Sequence, residues 1–158
     1  MTVETKVGIC RKGEISAEEV LRRIKESIKP GEAGAVGLFI GVVRGLTSSG
    51  EPVEGLSYEV YEEVALEYLK RIREDALKRQ GVVEVQIYHV VDDLEVGEDI
   101  MFVAVAGKHR GEVFEALREV VDRVKAEAPI FKKEKLVGGK SYWVSEVEAE
   151  KKFKRSQG

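Results

Sequence analysis

The residues able to do chemistry gather in the last third of the chain. Lys108, His109 and Arg110 follow an apolar run at 100–106, Lys125 comes further on, and Ala128, Pro129, Ile130, Phe131, Lys132, Lys133 and Glu134 then stand in succession. Together with Arg44 they offer an anion site built almost wholly from cations, suited to a phosphorylated substrate and to a reaction that accumulates negative charge. His109 and Arg110 fall where a strand pattern gives way to a helix pattern, so their side chains and the N–H groups of the first turn near Gly111 can converge on one anion. Lys125 lies toward the other end of that helix, and Lys132 follows the bend at Pro129, so a chain reversal could bring these two lysines to one pocket. Taken alone, the run 132–135 reads as a solvated charged face.

Helix length constrains this set. At about 1.5 Å of rise per residue, Arg110 and Lys125 stand roughly 22 Å apart along one helix. Either the chain has two separate anion sites, or a symmetric dimer brings the His109 and Arg110 end of one protomer to the Lys125 and Lys132 end of the other; the dimer is favoured.

Other chemistries find little support. His89 and His109 are the only histidines, neither has a second ligand at metal spacing, and no metal site is expected. His89 sits in an apolar strand and reads as a packed histidine. The acidic stretch Asp92, Asp93, Glu95, Glu98 and Asp99 lacks the spacing of a calcium loop and reads as a solvated turn. Gly34, Gly37 and Gly41 match neither a dinucleotide fingerprint nor a phosphate loop, and no Gly-x-Ser-x-Gly elbow is present. Cys10, the single cysteine, excludes an internal disulfide and reads as a small buried apolar residue. No cofactor is expected.

The elements that must position the cations follow from length and periodicity. At 158 residues, the chain is long enough to bury a core as one domain without staples. Its net charge of −3 arises from nearly balanced populations, so the overall field recruits neither nucleic acid nor an anionic membrane. The single cysteine fits a reducing cytoplasm, and no apolar run has the length of a spanning helix. Residues 3–10 read as a first strand, and Ser16 with Glu19 forms a capping box for a helix carrying Val20, Leu21, Ile24 and Ile28 on one face.

Residues 35–43 read as a strand with Gly37 and Gly41 on the face of Phe39. Such glycines mark the close approach of a ligand or backbone, or a bulge or tight helix packing. A flexible loop is expected at 45–52, with Arg44 at its hinge, then a strand at 53–60 and an amphipathic helix at 62–79. Strands at 83–91 and 100–106 form an antiparallel pair. A third helix covers 111–127, short strands cover 130–135 and 141–145, and a charged tail occupies 146–158. The expected fold class is α+β: a single domain over 1–145 with a largely antiparallel sheet and about three helices.

In order along the chain, Gly41 to Arg44, Lys108 to Arg110 before a helix, Lys125, the run from Ala128 to Glu134, and the pair Trp143 and Val144 resemble the large, catalytic subunit of molybdopterin synthase. The resemblance implies an α/β-hammerhead fold and a cytoplasmic sulfurtransferase of molybdenum cofactor biosynthesis. Its substrate would be cyclic pyranopterin monophosphate, converted to the molybdopterin dithiolene. It further implies a homodimer within a heterotetramer, partnered by a small ubiquitin-like sulfur-carrier subunit whose C-terminal Gly-Gly carries a thiocarboxylate.

By the same resemblance, Lys125 and Lys132 are catalytic, Arg44, His109 and Arg110 contact the pterin phosphate, and Val42, Val43, Lys133 and Glu134 line the pocket. His109 and Arg110 would come from the neighbouring protomer. A donor from outside agrees with a chain that has no candidate cysteine of its own. Ser145, Glu146 and Val147 stand where some relatives place an arginine, and Lys133 where an arginine often occurs. The competing readings are a non-catalytic regulatory domain that binds a phosphorylated metabolite, and a structural subunit whose basic patch docks an acidic partner.

Overall fold

The computed structural model describes residues 6–144 and the backbone of Thr2 and Val3; the charged tail, with Ser145, Glu146 and Val147, lies outside the described residues. The elements run β1 (Thr2–Val3), β2 (Val7–Cys10), α1 (Ala17–Ser27), β3 (Ala35–Val42), β4 (Val53–Val60), α2 (Glu62–Leu77), β5 (Val82–Val90), β6 (Leu94–Glu95), β7 (Asp99–Gly107), α3 (Arg110–Glu127), β8 (Ile130–Leu136) and β9 (Ser141–Val144). The α+β class is thus realised with three helices among the described residues.

The strands form two sheets rather than one: a five-stranded sheet in the order β1-β2-β5-β7-β3 and a four-stranded sheet in the order β6-β4-β8-β9. Every pairing is antiparallel except β2 with β5. Alternation along a strand reports which residues are buried, not which sheet the strand joins, so the division was invisible in the pattern. The first strand is also divided. β1 pairs back onto β2, with Thr2 opposite Ile9, so the chain reverses within the segment expected to be continuous. The acidic turn contains β6, which pairs with β4 through Leu94 and Leu56 and joins that turn to the second sheet.

Helices cover both faces of the five-stranded sheet. On one face α2 and α3 bury Leu69, Ile72, Val113, Ala116, Val120 and Val124 against Val85, Ile87, Val103 and Val105. On the other, α1 buries Val20 and Ile24 against Tyr88, Phe102, Ala104 and Ala106. Each Leu, Ile or Val taken from water contributes about 1.5–3 kcal/mol, so this double cover is the main source of rigidity behind the site. It also explains why β7 reads as one apolar run, since a strand covered on both faces shows no alternation. The α1 start is as expected, with Ser16 Oγ accepting the Glu19 N–H at 3.2 Å. Its stripe is narrower than expected, because Leu21 remains 39% exposed.

Gly37 and Gly41 have different jobs. A Cβ on Gly37 would stand 2.8 Å from Val113 Cγ1 and 3.3 Å from Leu117, so this glycine admits α3 against β3. At Gly41 the nearest atoms to an added Cβ are 3.5 Å or more away, and the residue borders a cavity.

Candidate functional site

The cavity, about 610 Å³ in volume, opens between β3 and the inner face of the four-stranded sheet. Its apolar wall comes from Phe39, Ile40 and Val42 of β3 and from Ile100 and Met101 of β7. Tyr58 of β4, His89 of β5, and Lys132 and Glu134 of β8 supply polar groups, and Lys125 reaches it from the last turn of α3. Arg44, Thr47 and Ser48 come from the loop after β3.

Register explains the polar wall. Tyr58 lies opposite Lys132 and Leu56 opposite Glu134 across the β4–β8 pairing. Paired residues share a face, so Lys132 and Glu134 face the cavity while the odd-numbered residues of β8 face away. The Lys133 ammonium accordingly lies over the Trp143 ring, 5.4 Å from its centroid. Glu134 is 8% exposed, a buried carboxylate in a cavity bordered by cations. Oppositely charged neighbours limit the cost of burying such groups.

Of the residues singled out in the sequence, the fold brings together Val42, Arg44, Lys125, Lys132 and Glu134 around this one cavity. Val43 packs into the core at 2% exposure, because the pairing register shifts at Gly41 and Val42 and the next side chain turns inward. His109 and Arg110 begin α3, whose unbroken course to Glu127 holds them roughly 22 Å from Lys125. At the helix start the Glu112 carboxylate accepts the His109 N–H at 3.2 Å as one half of a capping box. The imidazole of His109 remains 78% exposed.

The segment 45–52, expected to be flexible, is a hydrogen-bonded turn. Thr47 N–H donates to Glu51 O at 2.8 Å, Thr47 Oγ1 accepts the Glu51 N–H at 2.9 Å, and Leu46 bridges to Pro52. It therefore presents Thr47 and Ser48 to the cavity on a defined backbone. Gly50, at φ +88°, supplies the left-handed residue that closes the turn.

The sequence reading of His89 as a packed histidine holds, but it does not place His89 at the cavity and does not single out Tyr58. His89 is 8% exposed and packs edge to face with Tyr58, the ring centroids 5.5 Å apart. A signal was present: Val85, Ile87, His89 and Val91 occupy alternate positions, so a polar ring interrupts an otherwise apolar core stripe.

Among the described residues no group of His, Cys, Asp or Glu has an arrangement able to hold a metal ion. The acidic turn is engaged elsewhere, Asp92 by the Lys12 N–H, Glu98 by Lys12 Nζ and Asp93 by Lys135. Cys10 is fully buried, and burial pushes its thiol up to about 11. It does not line the cavity and is not ionised at neutral pH.

Comparison with known proteins agrees with this fold. A family model described as MoaE protein matches residues 10–127. A molybdopterin synthase catalytic subunit from Pyrococcus abyssi is 37% identical over 142 residues, covering 89% of this chain and 92% of that one. Another from Nostoc sp. is 41% identical over 113 residues, covering 71% and 68%. Among solved structures, molybdopterin synthase from Staphylococcus aureus superposes with a TM-score of 0.75 at 28% identity, over 90% of this chain and 98% of the other.

Proposed function

Because the chain belongs to the MoaE protein family, with relatives that are molybdopterin synthase catalytic subunits, we propose that it is the sulfur-transferring subunit of a molybdopterin synthase. Its substrate is cyclic pyranopterin monophosphate. Sulfur arrives as the C-terminal thiocarboxylate of a small ubiquitin-like carrier protein, and two transfers produce the dithiolene in the reducing cytoplasm.

One observation carries this reading: Lys125 and Lys132, from different elements, line the same cavity with Arg44. An apolar wall suits the flat heterocycle, and the cations suit its phosphate and the thiocarboxylate. Lysine is the appropriate residue at the reacting end, since an ammonium can neutralise a tetrahedral oxyanion and pass a proton without a covalent link. The carrier tail enters past Gly41, which borders the cavity and would bring an added Cβ only into ordinary contact with Phe39 and Met101, at 3.5 Å and 3.7 Å; Gly37 is committed to α3 and is not part of the entry.

His109 and Arg110 serve the site of a second protomer. Helix α3 holds them too far from Lys125 to act in their own chain, and their exposure leaves them available to a neighbour. The active unit is thus a homodimer with a carrier subunit bound to each protomer.

The deciding experiment is turnover with thiocarboxylated carrier and the cyclic pterin, with mass spectrometry counting sulfur added. Two sulfurs per pterin are expected from the wild-type chain, and a loss of about 10²–10⁴ in rate from Lys125→Ala with assembly unchanged. Full turnover by Lys125→Ala would refute the catalytic assignment, and weakened assembly alone would favour a docking role.

A further inference from the structure

His89 is a buried titratable group in the wall of the cavity, and the roles assigned above leave it idle. Its Nδ1 lies 2.9 Å from the carbonyl oxygen of Val90. A carbonyl only accepts, so Nδ1 carries the proton and the neutral ring's acceptor is Nε2. The ring also makes an edge-to-face contact with Tyr58, whose strand position is opposite Lys132. Tautomer and orientation are therefore both set by the fold, as a group poised to take a proton requires.

The chemistry needs such a group. Once sulfur has bonded to a pterin carbon while still joined to the carrier's acyl carbon, the two proteins and the pterin are linked as a thioester. Water must add to that acyl carbon. A C–O bond forms, the C–S bond breaks with its electron pair staying on sulfur, and the carrier departs as a carboxylate. The water releases two protons, and no oxidant or reductant takes part. Lys125 and Lys132 as ammonium ions can stabilise the oxyanion, but in that form they cannot accept a proton.

We infer that His89 is the general base for this water, taking its first proton on Nε2; the second is lost to solvent as the acid ionises. The other titratable and charged groups bordering the cavity are Arg44, Tyr58, Lys125, Lys132 and Glu134. Glu62, at the start of α2 just past β4, is engaged by Arg11. Glu134 is the rival base, but the ordinary pKa of an imidazole lies nearer neutral pH than that of a carboxyl.

This inference rests on the sulfur-transfer reading and is tested separately from it. The full chain is assayed with thiocarboxylated carrier and cyclic pterin as wild type, His89→Phe and His89→Gln. The phenylalanine keeps a ring against Tyr58, and the glutamine keeps a polar group. Turnover should fall by about 10²–10⁴, and mass spectrometry of quenched reactions should reveal the carrier–pterin thioester accumulating in both variants. A merely structural histidine would not cause that adduct to build up.

Wild-type activity with no adduct and undiminished turnover in folded His89→Phe would overturn the role of His89 alone. An inactive wild type would instead overturn the sulfur-transfer reading. Should both variants fail to fold, nitrogen NMR of the wild-type imidazole decides: a proton on Nδ1 is required, and a proton on Nε2 in the neutral ring refutes the inference. With only two histidines in the chain, assignment follows from the His109→Ala spectrum.

Discussion

Lys132 and Lys133 are neighbours in sequence yet face opposite ways from β8: Lys132 borders the cavity across from Tyr58, whereas the Lys133 ammonium lies 5.4 Å from the centre of the Trp143 ring. The pleat of a single strand thus turns one lysine to the cavity and the other to the outer surface.

That division predicts unequal variants. Lys132→Ala should reduce sulfur transfer by about 10²-fold or more, as expected for loss of a charged group aimed at a developing oxyanion. Lys133→Ala should leave turnover near wild type and cost about 0.5–1 kcal/mol through the lost contact with Trp143. Steady-state assays of the two proteins side by side check this, and equal losses would contradict the register argument.

Shared sites predict rescue. Arg110→Ala and Lys125→Ala should each be inactive alone. Mixed in equal amounts and allowed to exchange subunits, they should regain roughly a quarter of wild-type activity, because half the dimers are mixed and each of those contains one intact site. If each chain builds its own site, mixing restores nothing.

Gly37 predicts a stability effect separable from chemistry. In Gly37→Ala the new methyl would meet Val113 Cγ1 at 2.8 Å on the packed face of α3. Overpacking of this kind costs about 1–3 kcal/mol, readable as a lower thermal midpoint. Gly41→Ala, with no contact closer than 3.5 Å, should keep the midpoint and instead weaken use of the carrier, seen as a raised KM.

Glu84 predicts a pH dependence of folding. Burial alone would raise this carboxyl, but Lys6 at 2.6 Å, Arg73 at 2.7 Å and the Val85 N–H together hold it below its ordinary 4.5. A carboxyl depressed in the folded state adds stability that is present above the unfolded value and is lost as pH falls through the folded one. In urea unfolding, Glu84→Gln should be less stable than wild type at neutral pH by about 1–3 kcal/mol. The gap should narrow below pH 4.5, and curves that stay parallel would contradict the assignment.

Cys10 predicts silence. With its thiol pushed up to about 11 by burial, it should not react with thiol reagents in the native state at neutral pH. Cys10→Ala should transfer sulfur at the wild-type rate, because in the proposed reaction the sulfur comes from the carrier. Loss of activity in a folded Cys10→Ala would require a different sulfur path.

Much of the scaffold was legible in the chain itself. The helix over 111–127 could be read from the stripe of Phe114, Leu117, Val121 and Val124, and the bend from Pro129, although the structure buries Val113 and leaves Phe114 67% exposed. That helix's length alone required His109 and Arg110 to act apart from Lys125 within one protomer. Such features are local: the period of side chains along an element, a cap, a breaker and a rise per residue are properties of a few consecutive residues.

Only tertiary structure could decide the rest. The division into two sheets, the inward turn of Val43 at a register shift, and the meeting of Tyr58, His89 and Lys132 all depend on partners distant in sequence. A histidine on a core stripe looks the same from sequence whether its strand ends in the hydrophobic interior or beside a cavity. Long-range pairing alone chooses between them, because β4, β5 and β8 must first pack together before there is a cavity for His89 to face.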